Sequence, residues 1–156
     1  MLRPKVWAAV ADGKRLRVLA RRVLAQDPEE AVWHELQSEA LEMADPPSRV
    51  LGTDRPGRVR ESQGGARHAY EPRYDLHEGR KADFAEIVAE RLERAAKTGQ
   101  FDRLVLIAPP ATLGHLRAAI GEQARGRLRG TLARDLTRAR SEAISKQLAA
   151  QKLPHG

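Results

Sequence analysis

The chain has 156 residues, of which 41% are apolar and 31% charged. These proportions are typical of a soluble globular domain and too apolar for a disordered chain. It contains no cysteine, which excludes disulfides, thiolate catalysis and zinc–thiolate sites. The net charge of +7 suits a partner that is a polyanion, although solvated surface charge explains it equally well.

The charge is distributed unevenly along the chain. Residues 1–22 carry seven basic side chains and one acidic one, whereas residues 23–48 carry seven acidic side chains and no basic ones. Residues 115–156 carry nine basic and three acidic side chains. Basic segments at both ends of a domain favour contact with nucleic acid.

The beginning of the chain indicates a compartment. No apolar run approaches the roughly 18 residues of a membrane span. Met1 to Pro4 leads directly into a short strand-like run, without the apolar stretch of a secretory signal. We therefore expect a cytoplasmic protein.

The first predicted element is a β-hairpin. Lys5 to Ala11 is apolar, and Asp12-Gly13 is a strong signal for a tight turn. Arg15 to Ala20 then alternates apolar and basic side chains, as a half-buried strand does. Ala31 to Leu41 suits either a helix or a third strand, and pairing with the hairpin favours the strand.

Helices and strands alternate in the second half of the chain. Asp75 and Glu78 have the spacing of a capping box, and apolar residues then recur at helical spacing until Gly99. Arg103 to Ala108 is a continuous apolar run, typical of a strand buried on both faces. The remaining predictions are a helix from Thr112 to about Gly121, a strand at Leu128–Leu132 and a helix from Thr137 onward.

The predicted order is therefore β-β-β-α-β-α-β-α. Three antiparallel strands followed by crossovers make a mixed five-stranded sheet with helices packed on it. This is the order of elements in the ribonuclease-H-like architecture. We predict one α/β domain over residues 1–152, a long basic, Gly-rich loop at about 45–74, and a frayed tail at 153–156.

Several segments together resemble the bacterial host-attachment protein family over roughly residues 5–150. They are WAAVADGK from Trp7, GARHAYEP from Gly65, FDRLVLIAPP from Phe101 followed by Thr112-Leu113-Gly114, and LARDLT from Leu132. That family is similar to bacterial relatives of the middle domain of archaeal and eukaryotic peptide-release factors. The resemblance implies that fold and a link to ribosomes or transfer RNA.

The long loop is the predicted functional centre. Structureless stretches of this length in compact domains are usually functional or disordered. Arginines can hold phosphates, glycines let the backbone conform to a ligand, and a tyrosine can stack on an unpaired base. The candidate nucleic-acid-binding residues are Arg55, Arg58, Arg60, Gly64, Gly65, Arg67 and Tyr70.

Catalysis by this loop is the alternative. Release factors carry Gly-Gly-Gln before their long helix, but here Gln63 precedes Gly64 and Gly65, so the resemblance does not transfer a hydrolytic role. Gln63 and His68 remain the candidates for a peptidyl-tRNA or ester hydrolase. A two-metal nuclease is disfavoured because the first strand lacks a carboxylate and the Arg103–Ala108 strand ends in Ala-Pro-Pro.

We thus expect a non-enzymatic module that binds RNA or the ribosome, without a cofactor. The histidines are scattered without metal-site spacing, so no metal is expected. A hydrolase and a surface attachment factor are the two alternatives.

Overall fold

A mixed sheet with helices on both faces forms the domain, which confirms the predicted α/β class. The computed structural model describes the backbone of residues 3–23, 31–43 and 66–150, and the side chains of residues 3–22, 32–43 and 79–150. Within these residues the strands are β1 (Val6–Ala11), β2 (Arg15–Val23), β3 (Ala31–Glu35), β4 (Leu41–Glu42), β5 (Arg103–Ala108) and β6 (Leu128–Ala133). The helices are α1 (Ala66–Lys97), α2 (Pro110–Ala119), α3 (Glu122–Arg127) and α4 (Ser141–Ala150), and a 3-10 turn covers Gln37–Glu39.

The strand order is β3-β2-β1-β5-β6, with β4 paired beside the start of β2. β2 runs antiparallel to β1 and to β3, whereas β5 runs parallel to both β1 and β6. The carboxyl ends of β1, β5 and β6 therefore meet at one end of the sheet, here called the carboxyl edge. In open α/β sheets this edge is where ligands usually bind.

The described residues contain six strands, so the prediction of five was wrong. The additional strand, β4, has two residues, which is too short to produce an alternating pattern. The six residues of α3 were also missed, because EQARGR is polar and contains a glycine. The ambiguous segment after Ala31 is a strand only as far as Glu35. The ribonuclease-H-like and release-factor likenesses stay predictions.

Helix α1 begins at Ala66, and the predicted start at Asp75 was wrong. The capping-box spacing of Asp75 and Glu78 lies inside the helix. A proline lacks the backbone donor of a helix and usually kinks or breaks it, so Pro72 favoured the prediction of a loop. The helix nevertheless continues on both sides of Pro72. The last part of the predicted 45–74 loop is thus helical, and its first part lies outside the described residues.

Two apolar layers hold the domain together. All six residues of β1 are buried, so this strand is covered on both faces. One layer lies between the sheet and helices α1 and α2, and the other lies between the sheet and α4. Ile144 and Leu148 of α4 pack with Leu19 and Trp33 in the second layer. This packing fixes the positions from which side chains reach the carboxyl edge.

Candidate functional site at the carboxyl edge

A cavity of about 360 Å³ opens at the carboxyl edge, where β1 and β5 end. We call it the carboxyl-edge cleft. Five separate parts of the chain contribute to it: the β1–β2 turn, the residue after β4, helix α1, the β5–α2 junction and the segment after β6. Its lining residues are Asp12, Gly13, Lys14, Met43, Arg80, Lys81, Pro109, Ala111, Thr112 and Asp135.

Asp12 shapes the turn that presents Lys14 to the cleft. Its Oδ1 accepts hydrogen bonds from the backbone N–H of Lys14 at 2.8 Å and of Arg15 at 2.7 Å. Such an Asx arrangement satisfies the amides of the turn and of the first residue of β2. The Met43 N–H donates to the Lys14 carbonyl at 2.7 Å. The backbone of Lys14 is therefore held from both sides.

Thr137 joins the two carboxylates of the cleft. Its hydroxyl Oγ1 lies 2.9 Å from Asp12 Oδ2 and 2.7 Å from Asp135 Oδ1. A hydroxyl carries one proton, so it donates to only one carboxylate at a time. It therefore bonds to one of the two carboxylates and lies close to an oxygen of the other. Thr137 thereby connects the segment after β6 to the turn after β1.

Arg17 secures the same segment from the opposite side. Its Nη1 donates to the carbonyls of Thr137 at 3.0 Å and Ala139 at 2.5 Å, with Leu136 at 3.5 Å. Its Nε and Nη2 donate to the two carboxylate oxygens of Glu35 at 2.9 and 2.7 Å. This hydrogen bonding raises the pKa of Arg17 and lowers the pKa of Glu35, against the opposing effect of burial.

The cleft also presents donors for an anion. Arg80 and Lys81 enter it from α1, and the stem of Lys81 lies over Gly13, where an added Cβ would meet Lys81 Cγ at 3.0 Å. Helix α2 begins at this edge and has no side-chain cap. The first amides of a helix lack intrahelical partners and favour negative charge. Ala111 and Thr112, both in that first turn, line the cleft.

Replacing Thr137 by valine is expected to lower the free energy of unfolding by about 1–3 kcal/mol, since the carboxylate that accepts its proton loses a buried donor. Thr137 is 5% exposed, and valine keeps its shape. Urea denaturation measures the loss. Thr131→Val is the matched control, because the described hydrogen bond of the Thr131 side chain is to exposed Arg117, and it should cost less than about 1 kcal/mol. Equal losses in the two variants would show that Thr137 does not bridge the carboxylates.

None of the predicted site residues has a described side chain, so these predictions stay untested. Arg55, Arg58, Arg60, Gln63, Gly64 and Gly65 fall outside the described residues. Arg67, His68 and Tyr70 belong to the backbone of α1, and their side chains are also outside the described part. Among the side chains that the structure does describe, no three of the types His, Cys, Asp and Glu cluster in a way that could hold a metal ion.

The residues of the cleft were not found by sequence patterns, although a signal existed. Asp12 follows β1 directly, Pro109 follows β5 directly, and Asp135 comes soon after β6. Once three parallel strands are predicted, the residues after their carboxyl ends are expected to converge. Arg80 and Lys81 had no such signal, because a charged pair on a long helix usually marks its solvated face.

Comparison with known proteins gives one family. The sequence model of the family described as "Protein required for attachment to host cells" matches residues 7–148. A search of curated proteins found no match. Helices in the described part of the chain are all too short or too polar to cross a membrane.

Proposed function

This chain belongs to the family of proteins required for attachment to host cells, and we propose that it is a non-enzymatic module that binds RNA or the ribosome. The observation that carries the proposal is the carboxyl-edge cleft. Lys14, Arg80 and Lys81 line it together with the uncapped start of α2. Basic side chains and free helix amides are the groups that bind backbone phosphates of nucleic acids.

The sequence beside the cleft supports a polymer rather than an isolated phosphate. Helix α1 carries Lys81 and continues to Ala66. The sequence of this helix carries Arg67, Tyr70, Tyr74, His77 and Lys81 at intervals of three and four residues. Basic and aromatic residues together suit a single-stranded nucleic acid, whose phosphates and bases both need partners.

The test is salt-dependent binding of transfer RNA and of purified ribosomes. In the first variant Lys14, Arg80 and Lys81 are each replaced by glutamine. The matched control replaces Arg94, Lys97 and Lys146, which are exposed and lie outside the cleft. We expect the cleft variant to bind at least about tenfold more weakly, with a salt slope that falls by about 0.7–0.9 for each phosphate that is no longer neutralised. The control should change affinity less than about threefold, since it removes the same charge at positions distant from the bound phosphates.

Two outcomes would contradict the proposal. One is that the wild-type protein shows no salt-dependent affinity for transfer RNA or for ribosomes. The other is that cleft and control variants lose affinity equally, which would mean that net charge alone attracts the polymer.

Replacing Arg55, Arg58 and Arg60 by glutamine in a third variant measures what the loop adds to the affinity. Such a module would work in the cytoplasm, and fractionation that finds the protein only on the cell surface would favour direct attachment instead.

A further inference from the structure

A second cavity lies at the opposite end of β1, and nothing in the proposed RNA-binding role uses it. Its volume is about 440 Å³. We call it the amino-edge cavity, because it surrounds the residues with which β1 begins. Its lining residues are Lys5, Val6, Trp7, Ala20, Arg21, Arg22, His34, Leu36 and Gln100.

The floor of this cavity is a small residue between two rings. Trp7 is paired in register with Ala20, and Ala20 is paired with His34, so the three lie side by side across β1, β2 and β3. Adjacent strands are about 4.8 Å apart, which separates the backbones of Trp7 and His34 by nearly 10 Å. Of these three paired side chains, the middle one is the methyl group of Ala20. Trp7 is itself held by Phe101, with ring centroids 5.1 Å apart.

Two polar atoms here are buried without a partner. Within the described part of the chain, His34 Nδ1 and Arg21 Nε have no hydrogen bond. Leaving such an atom unsatisfied is unfavourable, and each case needs an explanation. Both residues line the amino-edge cavity. Arg21 follows Ala20 directly in β2, so its side chain points to the opposite face of the sheet, and only His34 shares the face of Ala20.

The cavity is also positively charged. Lys5, Arg21 and Arg22 line it, whereas no described lining residue is a carboxylate. Burial lowers the pKa of Arg21, and the charges of Arg103 and Arg3 lower it further. This end of the sheet therefore concentrates positive charge that an anion would neutralise.

We propose that the amino-edge cavity binds a small organic anion that carries a planar ring. The ring lies over Ala20, between the apolar wall of Trp7 and the imidazole of His34. The anionic group meets the basic side chains at the rim. A cavity of this volume falls within the usual range for small-molecule sites, about 300–1,000 Å³. The proposal does not depend on RNA binding, since the two cavities share no lining residue among those described.

Calorimetry on the full chain tests this with four probes. Indole-3-acetate and adenosine 5′-monophosphate combine a ring with a carboxylate or a phosphate, whereas indole and inorganic phosphate supply one half each. We expect at least one ring-bearing anion to bind saturably and at least tenfold more tightly than either half. The probe that binds more tightly shows whether the site prefers a carboxylate or a phosphate. If neither does so, the proposal is wrong.

Variants locate the site. Ala20→Leu fills the space above Ala20 and should weaken binding at least tenfold. Lys146→Gln, at an exposed position of α4, should leave the affinity within twofold. His34→Gln and Lys5→Gln serve the same purpose should Ala20→Leu fail to fold, which circular dichroism would reveal. Unchanged affinity in the folded cavity variants would place the ligand elsewhere and overturn the proposal.

Discussion

Replacing Arg17 by methionine is expected to destabilise the protein by about 2 kcal/mol, less than the range of about 3–5 kcal/mol for a buried ion pair that loses one partner, because this pair is only partly buried. The side chains of Arg17 and Glu35 are 17% and 16% exposed. Methionine keeps much of the apolar stem but leaves the Glu35 carboxylate with Ser141 Oγ at 3.1 Å as its remaining described donor. The carbonyls of Thr137 and Ala139 also lose their donor. Urea denaturation at neutral pH measures the effect.

The pH dependence separates the effect of the ion pair from that of packing. The pKa of Glu35 is lowered in the folded protein, chiefly by its hydrogen bond to Arg17. Its stabilising contribution is therefore complete above the unfolded pKa of about 4.3 and disappears as the pH falls through the lower folded pKa. Acid should destabilise the wild-type protein more steeply than Arg17→Met. Parallel pH profiles would show that packing, not charge, explains the loss of stability.

The double variant Arg17→Met/Glu35→Gln provides the control for charge burial. Glutamine removes the uncompensated carboxylate, so the double variant should be more stable than Arg17→Met alone. If the second substitution brings no recovery, the cost lies mainly in the unpaired carbonyls of the segment after β6. That result would identify Arg17 first as the support of this segment and only second as the partner of Glu35.

Replacing Phe101 by alanine is expected to destabilise the protein by about 3–5 kcal/mol, as for other fully buried aromatic residues. Phe101 is 0% exposed and packs against Trp7 in the layer beneath α1. It lies two residues after Gly99, whose φ of 72° turns the chain out of the helix and toward β5. The ring thus joins the end of α1 to the first strand, and its removal would leave a cavity between them. Thermal and urea denaturation measure this change.

Ile87→Ala is the matched control for Phe101→Ala. Ile87 lies on α1, the helix that covers Phe101, but is 45% exposed, so its truncation should cost less than about 1 kcal/mol. The near-ultraviolet circular dichroism of the protein, to which Trp7 contributes, should change in Phe101→Ala but not in Ile87→Ala. Similar stability losses in both variants would mean that Phe101 is not a core contact.

Local patterns predicted the elements that local chemistry determines. The Asp12-Gly13 turn fixed the first hairpin, and the apolar run Arg103–Ala108 coincides with β5 at both ends. The predicted start of α1 was wrong because the residues near Asp75 have the spacing of a helix cap and because Pro72 weakens the helical pattern. Short elements such as β4 were missed because their pairing depends on β2, which is distant along the chain.

The candidate site was predicted less well than the fold, for a related reason. Lys14, Arg80 and Asp135 are far apart in sequence and share no motif. Only the parallel alignment of β1, β5 and β6 brings the chain segments around them to one edge. The glycine-rich, arginine-rich loop was conspicuous because it lacks a period, whereas the cleft arises from the ends of ordinary elements.

The central pairing of β1 with β5 has a kinetic consequence. The backbone N–H of Lys5 donates to Asp102 at 2.8 Å across 97 residues of chain. Closing a loop of that length costs about 4 kcal/mol of entropy beyond a constant term. The hairpin and the long helix can form from local contacts, but the middle of the sheet cannot. Folding should therefore be slow for a domain of this size, and substitutions at this junction should mainly slow folding, as expected for contacts that form in the transition state.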